Sequence, residues 1–435
     1  MLKTAILIAG TVVFSVFASP APAPGGAISP GTAIPLARRS SLTGADGVFD
    51  KDKAVLATID TINKHIQNRV NFQKYTGGSV KIRSPVPLPS DVDSKDRLLR
   101  REEKRQSEAL TDESNNIEWA GTISVGTPKK GTAKQNFLID FDTGSADLWI
   151  PSSSCLSLAC RKKSKYNPTS SSTSSRKPET LYVEYGDDSS ASGPVYSDTV
   201  TVAGVSATNQ YFAAMTTLSL SFYTDPIDGI MGMGLLPISG LQQDPFVMNA
   251  KSEGAFGVGQ FSFYLANTGS ELYIGGTDSK KYTGAIEFNS INTTTGFWEP
   301  TNAQAKVGST TVLTGLQTIV DSGTTLMYCP PAVVQQIYAK VPGAKVFDAE
   351  EGYYSYPCAS PPQISFNYGG KDWTISAANL NLGLTKAKSK DCVAALAGVD
   401  IGFGAQTCIL GDAFMKNFYS VFDLDQKAVG FATLA

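Results

Sequence analysis

The sequence contains a single histidine, His65, in 435 residues. This residue lies in the N-terminal third of the chain, before any pattern that indicates a packed core. If that part is removed on maturation, the remaining protein has no imidazole. Ser-His and Cys-His nucleophiles and His-ligated metal sites are then excluded, so hydrolytic chemistry would have to use carboxylates or a Ser/Lys arrangement.

Long apolar runs are also scarce. Lys3, the apolar stretch at positions 4–18 and the small residues Val16 and Ala18 predict a signal peptide over residues 1–18, cleaved after Ala18. That stretch is too short to span a bilayer, and no later run of 18 or more apolar residues follows, so we expect no membrane anchor. A signal peptide predicts secretion, with vacuolar delivery as the alternative, because both routes begin with one.

Residues 19–105 have the features of a pro-segment. After a Pro/Gly-rich linker, apolar residues recur at three- and four-residue spacing and predict an amphipathic helix: Val55, Ile59, Ile62, Ile66 and Val70. Two dibasic pairs then occur in a charge-rich run, and we expect processing after Arg105.

Charge divides the chain at the same place. Residues 1–105 hold 16 Lys/Arg and 9 Asp/Glu, which leaves 21 Lys/Arg and 30 Asp/Glu for the rest of the chain. A basic segment joined to an acidic body predicts a pro-segment held partly by electrostatics and released when carboxylates are protonated. The alternative is a solvated, charged linker.

Beyond residue 105 the sequence is rich in Ser, Thr and Gly, with short alternating apolar runs and closely spaced turn signals. This pattern predicts an all-β fold with a few short helices. No basic stripe interleaved with aromatic residues occurs, so no nucleic-acid partner is expected.

Two aspartates head an internal repeat. Asp142 lies in FDTGS, 88 residues before Ile230-Met231-Gly232, and Asp321 lies in VDSGT, 88 residues before Ile409-Leu410-Gly411. One Asp-Thr-Gly triplet alone would be explained as a turn or a helix cap. Two triplets, each after a predicted strand and each with an apolar-apolar-Gly partner at equal distance, indicate two homologous halves.

On these motifs the chain resembles pepsin-like aspartic proteases of the secreted fungal type, over essentially all of residues 106–435. The resemblance implies two pseudo-twofold related β-lobes, here 106–300 and 301–435, with Asp142 and Asp321 on the floor of a central cleft. The implied activity is an acid endopeptidase, made as a zymogen, that cleaves peptide and protein substrates with apolar residues around the scissile bond. The implied protein is a monomer that is inhibited by its own pro-segment and needs no metal or cofactor.

The repeat suits carboxylate chemistry. Two carboxylates a few ångströms apart share one proton, as the aspartic proteases exemplify, so one acts as general base on water while the other donates to the scissile carbonyl. The pair titrates as a unit, so neither apparent pKa is assigned to one residue. The resemblance implies three kinds of supporting residue in the two loops. Thr143 and Ser322 would hydrogen-bond across the pseudo-twofold axis, and Gly144 and Gly323 would let the backbone approach the carboxylates. Ser145 and Thr324 would contact the outer carboxylate oxygens.

The stretch LYVEYGDDSSASG predicts a β-hairpin. By resemblance it is the flap over the cleft, with Tyr185 near its tip, Gly186 and Asp187 on the substrate backbone, and Trp149 as hydrogen-bonding neighbour of Tyr185. Asp188 departs from the family pattern, which often has Gly there. The alternative is an ordinary surface hairpin.

The resemblance pairs Cys155 with Cys160 and Cys358 with Cys392, and leaves Cys329 and Cys408 either bridged or as buried thiols. Asn292-Thr293-Thr294 is a sequon for N-glycosylation. Lys74-Tyr75 is similar to a pro-segment dipeptide whose ammonium occupies the carboxylate pair, and Asp412 is interpreted as structural. Two other functions stay open: a pepsin-like protein that binds without turnover, and a secreted β-sandwich that binds glycans.

Overall fold

The computed structural model describes residues 31–38, 42–87, 119–184, 190–223, 225–266 and 268–435. Within these ranges the chain is mainly β, as the sequence predicts, with four sheets and a few helices. The helices are α1 (Lys51–Thr76), α2 (Phe246–Ser252), α3 (Pro331–Tyr338), α4 (Ala377–Leu380) and α5 (Asp412–Met415). No helix among the described residues is long and apolar enough to cross a membrane.

An eight-stranded sheet forms the first lobe. Its strands, in chain order, are β2 (Ala37–Arg38), β3 (Trp119–Val125), β4 (Gln135–Asp142), β5 (Leu148–Pro151), β6 (Ser175–Glu184), β7 (Ser190–Val202), β8 (Val205–Met215) and β9 (Gly229–Gly232). Their spatial order is β2-β3-β4-β9-β5-β8-β7-β6. Strand β4 pairs in parallel with β9, and Asp142 lies opposite Gly232 at the end of that ladder.

A seven-stranded and a four-stranded sheet form the second lobe. The first contains β13 (Ala303–Val307), β14 (Thr310–Val320), β15 (Met327–Cys329), β18 (Ile364–Asn367), β19 (Asp372–Thr374), β22 (Leu396–Gly398) and β23 (Thr407–Leu410). The second contains β16 (Lys345–Asp348), β17 (Tyr353–Pro357), β20 (Asn381–Leu384) and β21 (Asp391–Ala394). Strand β14 pairs in parallel with β23, so the second lobe repeats the arrangement of β4 and β9.

A six-stranded sheet contains strands from distant parts of the chain. Its members are β1 (Thr32–Pro35), β10 (Gln260–Tyr264), β11 (Glu271–Ile274), β12 (Tyr282–Ser290), β24 (Phe418–Asp423) and β25 (Ala428–Leu434), in the spatial order β1-β11-β10-β24-β25-β12. Strand β1 is an edge strand that precedes residue 105. The expected pro-segment is therefore built into the sheet framework.

Helix α1 confirms the predicted amphipathic helix and extends it. Asp50 caps its N-terminus by accepting from the Lys53 backbone N–H, and Gly77 ends it in a left-handed conformation at φ 67°. Of the predicted apolar stripe, Val55, Ile59, Ile62 and Ile66 are buried, whereas Val70 is 40% exposed. The buried side of α1 also carries polar residues: Thr58, Thr61, Asn63, His65, Asn68 and Asn71.

Candidate active site

The parallel ladders bring the two Asp loops together. Strand β4 ends at Asp142, and Asp321 directly follows β14; the backbone N–H of Asp321 donates to the Leu410 carbonyl on the neighbouring β23. Equivalent strand ends in two similar lobes therefore deliver both carboxyl groups to one place. Their side chains are almost fully buried, with 2% and 0% exposed.

Hydrogen bonds between the loops are reciprocal. The Thr143 backbone N–H donates to Ser322 Oγ at 3.0 Å, and the Ser322 N–H donates to Thr143 Oγ1 at 2.9 Å. Each hydroxyl then donates to the opposite strand, Thr143 to the Val320 carbonyl and Ser322 to the Phe141 carbonyl. Each hydroxyl thus donates one hydrogen bond and accepts another across the pseudo-twofold, which fixes one loop against the other.

Both carboxylates accept the same set of bonds. Asp142 Oδ1 accepts from the Gly144 N–H at 2.9 Å, and Oδ2 accepts from Ser145 Oγ at 2.5 Å. Asp321 repeats the pattern with the Gly323 N–H at 3.0 Å and Thr324 Oγ1 at 2.6 Å. These bonds are made to charged acceptors and orient each carboxylate rigidly.

Two residues after each aspartate only glycine fits, because the carboxyl group of the opposite loop approaches its Cα closely. A Cβ on Gly144 would collide with the Asp321 carboxyl group, and one on Gly323 would collide with that of Asp142. Any side chain at either position would push the loops apart, so these glycines set the spacing of the two acids.

The ammonium of Lys64, from the middle of α1, lies between the carboxylates. Its Nζ is 3.0 Å from Asp142 Oδ1 and 3.0 Å from Asp321 Oδ1. The sequence interpretation that placed Lys74 here is wrong: Lys74 Nζ lies 3.3 Å from the Gly240 carbonyl, and Tyr75 is 44% exposed. Ten residues of α-helix separate the two lysines by about 15 Å, so only one can reach the aspartates.

His65 also enters the site and is fully buried. Its Nε2 lies 3.1 Å from Asp321 Oδ2, and its ring packs edge-on against Phe297 and Phe403 at 5.5 and 5.2 Å. Because the carboxylate only accepts, Nε2 carries the hydrogen, and Nδ1 is left to accept from Asn68 Nδ2 at 3.4 Å. In the sequence this histidine precedes any pattern that indicates a packed core, so the pattern does not predict its burial.

Burial and charge move the pKa values of the two aspartates apart. Burial raises the pKa of Asp142, and Asp321 adds to that rise against the opposing effect of Lys64. Burial alone would also raise the pKa of Asp321, but Lys64 and His65 outweigh it and hold that pKa below its ordinary value. With α1 in place, Asp321 is the more acidic member of the pair.

The pKa values of the two basic side chains of α1 at the site, Lys64 and His65, shift in opposite directions. Burial alone would lower the pKa of Lys64, but the two aspartates raise it above its ordinary value, so Lys64 stays charged. Burial lowers the pKa of His65, and the favourable effect of Asp321 does not compensate for it. The imidazole beside Asp321 is therefore neutral near neutral pH.

The predicted flap is described only at its base. Strands β6 and β7 form an antiparallel hairpin in which Glu184 pairs with Ser190. Tyr185, Gly186 and Asp187, together with Asp188, lie outside the described residues. Trp149 is buried in β5, with its ring edge-on to Phe222 at 5.1 Å.

Three disulfides link the cysteines. They join Cys155 to Cys160, Cys358 to Cys392 and Cys329 to Cys408. The first two are the pairs that the resemblance implies, and the third settles the alternative that sequence left open. It ties β15, just after the Asp321 loop, to β23.

Asp412 lies directly beneath the second loop rather than in the cleft. It is buried at the start of α5, and its backbone N–H donates to the Thr324 carbonyl at 2.7 Å. Its position agrees with the structural role expected from the sequence. Among the described residues, no cluster of three or more His, Cys, Asp or Glu side chains could hold a metal ion.

The residues of α1 that meet the site are not predicted by the apolar pattern of the sequence. Thr58, Thr61, His65 and Asn68 recur at spacings of three, four and three residues, which is a second helical stripe beside the apolar one. Asn68 Nδ2 donates to the Gly144 carbonyl at 2.6 Å, and Asn71 Nδ2 donates to the Ile238 carbonyl at 3.0 Å. Neutral polar residues at helical spacing could have indicated a helix that covers a polar surface.

Comparison with known proteins gives the same assignment as the loop geometry. A family model described as eukaryotic aspartyl protease matches residues 118–434. An aspartic protease of Phaffia rhodozyma is 38% identical over 329 residues, which cover 74% of this chain and 78% of that protein. The chain belongs to the eukaryotic aspartyl protease family. Two further relatives of this aspartyl protease are pepsin A of Sus scrofa, 34% identical over 325 residues (73% and 82% covered), and cathepsin D of Bos taurus, 34% over 341 residues (73% and 85%).

Family membership fixes the broad class of the protein. The aspartyl protease is an aspartic endopeptidase with the bilobal pepsin-like fold, as the sequence analysis predicted. The glycan-binding β-sandwich is thereby excluded.

Proposed function

We propose that this chain is the precursor of an endopeptidase that hydrolyses peptide bonds at acidic pH through a water activated by Asp142 and Asp321. The observation that carries the proposal is the Lys64 ammonium, held at 3.0 Å from both carboxylates. A general-base mechanism needs a water in contact with both acids, and the ammonium takes its place. The precursor is therefore inactive while α1 lies in the cleft.

Removal of α1 frees the two acids to share a proton. One carboxylate then takes a proton from water as the water attacks the scissile carbonyl, and the other donates to the carbonyl oxygen. The roles reverse as the amine leaves. Thr143 and Ser322 keep the loops in register throughout, while Ser145 and Thr324 hold the outer oxygens.

The expected substrates are peptides with apolar side chains around the scissile bond. Phe297 and Phe403 enclose the His65 ring beside Asp321, so departure of α1 leaves an aromatic wall next to the acids. We propose that Tyr185, Gly186 and Asp187 close over the peptide as a flap, with Trp149 behind Tyr185. A closing flap would separate the site from bulk water while the catalytic water stays between the acids.

Ion pairs support a pro-segment held by charge. Lys51 pairs with Asp348, and Arg83 lies 3.4 Å from Asp400, in addition to the central pairs of Lys64. The basic leader thus meets the acidic body at three places along its path. Protonation of these carboxylates would loosen all three contacts, which is why we propose acid-dependent release.

The maturation route remains as the sequence predicts it. We propose signal cleavage after Ala18, a pro-segment over 19–105 cut after Arg105, lobes over 106–300 and 301–435, and secretion as a monomer, with the vacuole as alternative destination. Asn292 is the proposed glycan site; it lies in a turn in which its Oδ1 accepts from the Thr294 hydroxyl at 2.7 Å.

The test holds the purified precursor at about pH 3.5 and follows its mass and its cleavage of denatured globin, with and without pepstatin. We expect loss of the segment up to about residue 105 and cleavage that pepstatin blocks. Asp142→Asn and Asp321→Asn should each abolish cleavage while the fold persists by circular dichroism. A mature chain that neither cleaves globin nor binds pepstatin would support the silent binding protein instead.

Lys64→Met, with Lys74→Met as matched control, tests the inhibitory contact. Removing one partner of a buried ion pair costs about 3–5 kcal/mol, because the other charge stays buried without compensation. Release of the pro-segment from Lys64→Met should therefore be faster by a factor of a hundred or more, and Lys74→Met should change it little. Equal effects of the two substitutions would refute the assignment of Lys64.

A further inference from the structure

Two buried tyrosine hydroxyls from different sheets converge on one residue of α1. Thr58 Oγ1 lies 2.9 Å from the Tyr328 hydroxyl and 3.2 Å from the Tyr353 hydroxyl. Tyr328 belongs to β15 of the seven-stranded sheet and Tyr353 begins β17 of the four-stranded sheet; their exposed fractions are 1% and 0%. The second lobe thus brings two phenols to a single point under the pro-segment.

The direction of these bonds follows from Thr58 itself. Its hydroxyl donates its one hydrogen to the Ala54 carbonyl at 2.8 Å, so its oxygen can only accept from the tyrosines. Thr61, which also contacts Tyr328, likewise donates to the Ala57 carbonyl. Both phenols are therefore donors, and their acceptors belong to α1.

Departure of α1 leaves both donors without these acceptors. Among the described residues no partner outside α1 hydrogen-bonds to either hydroxyl. Water can accept from them once α1 has left, but a ligand that excludes this water without supplying an acceptor leaves two buried, unpaired donors, which is costly.

The pair lies within reach of a bound peptide. Thr58 precedes Lys64 by six residues, which is about 9 Å along the helix axis. An extended peptide covers that length in about three residues. If the peptide follows the path of α1 across the cleft, a side chain about three positions from the scissile bond reaches the point that Thr58 occupies.

We propose that Tyr328 and Tyr353 form a donor pair that selects substrates with a hydroxyl or amide side chain about three residues from the scissile bond. This inference rests on the proposed endopeptidase function and adds a polar requirement to its apolar preference. Thr58 occupies the subsite in the precursor. An apolar residue of the same shape would leave both donors unpaired, and discrimination on this basis exceeds what shape alone gives.

Matched peptides that differ only as Thr against Val measure the effect, since these side chains have nearly the same shape. The residue is placed two, three and four positions from the scissile bond on each side, and kcat/KM is compared for the activated enzyme. We expect the Thr peptide to be favoured about tenfold at one position, and the preference to fall below about twofold in Tyr328→Phe/Tyr353→Phe. The matched control, Tyr338→Phe, removes a buried phenol that bonds to the Leu396 carbonyl in the same lobe and should keep the preference.

The outcomes separate the inference from the function beneath it. Pepstatin-sensitive cleavage without a Thr preference at any position overturns the subsite alone, and so does a preference that survives the double substitution. Absence of all cleavage overturns the proposed function. In that case fluorescence anisotropy of the same peptides on the Asp142→Asn chain, freed of its pro-segment by an added dibasic-specific protease, still decides the inference: tenfold tighter binding of the Thr peptide supports it, and equal binding refutes it.

Discussion

Replacing His65 with Gln would remove the only imidazole of the precursor and leave the mature enzyme unchanged. Residue 65 lies in the segment proposed to be lost, so both precursors yield the same protease. A Gln amide can donate to Asp321 as the Nε2–H does at 3.1 Å, but it never takes up a proton. Any difference between the two precursors therefore reports the titration of His65.

The sign of the effect follows from linkage. Burial lowers the pKa of His65 while α1 is docked, and after release the imidazole returns to its ordinary value of about 6.5. Below pH 6.5 the released state thus binds one proton more than the docked state, and acidification favours release. Above about pH 7.5 the imidazole is neutral in both the docked and the released state. The substitution therefore has no pH-linked effect there.

The size of the effect is set by one proton. While the docked imidazole stays neutral, each further pH unit below 6.5 makes the free energy of release more favourable by about 1.4 kcal/mol. The equilibrium constant for release then rises tenfold. The pKa of Asp321, held below its ordinary value by Lys64 and His65, adds a drive in the same direction, because neither group opposes protonation of that carboxyl after release. Burial raises the pKa of Asp142. Its protonation contributes equally to release of the wild-type and the His65→Gln pro-segments.

The assay is the first-order rate of self-processing, followed by mass between pH 7.5 and 4. The plot of the logarithm of rate against pH should be shallower in His65→Gln by up to one unit of slope, with processing slower by up to about 30-fold at pH 5. Lys74→Gln, at the far end of the same helix, serves as control and should follow the wild type. Parallel plots for His65→Gln and wild type would show that the imidazole does not drive release.

Three further variants test the framework of the site and the ion pairs that hold α1. Thr143→Val removes a hydroxyl that accepts from the Ser322 N–H and should lower the free energy of unfolding by about 1–3 kcal/mol, measured by thermal unfolding. In globin cleavage it should lower kcat by a larger factor than it changes KM. Cys329→Ser/Cys408→Ser opens a 79-residue loop and should lower stability by about 2–5 kcal/mol in a urea titration. Asp348→Asn breaks a partly exposed ion pair and should speed pro-segment release no more than about fivefold at pH 6, unlike Lys64→Met.

The two Asp loops could be predicted from sequence because their chemistry is local. An Asp, a hydroxyl residue and a Gly must follow one another to make the bonds that Asp142 makes with the Gly144 N–H and Ser145 Oγ. The equal 88-residue spacing from each aspartate to its apolar-apolar-Gly triplet reflects the parallel pairing of β4 with β9, which the second lobe repeats. Period-two apolar runs likewise indicated the sheets.

The contacts of the pro-segment could not be predicted because they depend on register across the cleft. Choosing between Lys64 and Lys74 requires knowing which turn of α1 crosses the aspartates, and apolar spacing fixes the buried face but not the position along the helix. His65 was missed for the same reason. The third disulfide needed the distance between Cys329 and Cys408, which is set by the antiparallel pairing of β15 with β23.

The buried face of α1 suits the proposed role of a covering helix that is later released. Much of that face is hydrogen-bonded rather than apolar: Thr58 meets two phenols, His65 meets a carboxylate, and Asn68 meets the Gly144 carbonyl. Peptide substrates can satisfy the hydrogen-bonding groups of the cleft equally well. An apolar helix would leave those groups unpaired and, after release, would expose an apolar surface prone to aggregation. A polar face therefore keeps the donors and acceptors of the cleft ready for substrate and makes the hold of the helix depend on protonation. It follows that the mature cleft should select substrates by several side-chain hydrogen bonds as well as by apolar contact.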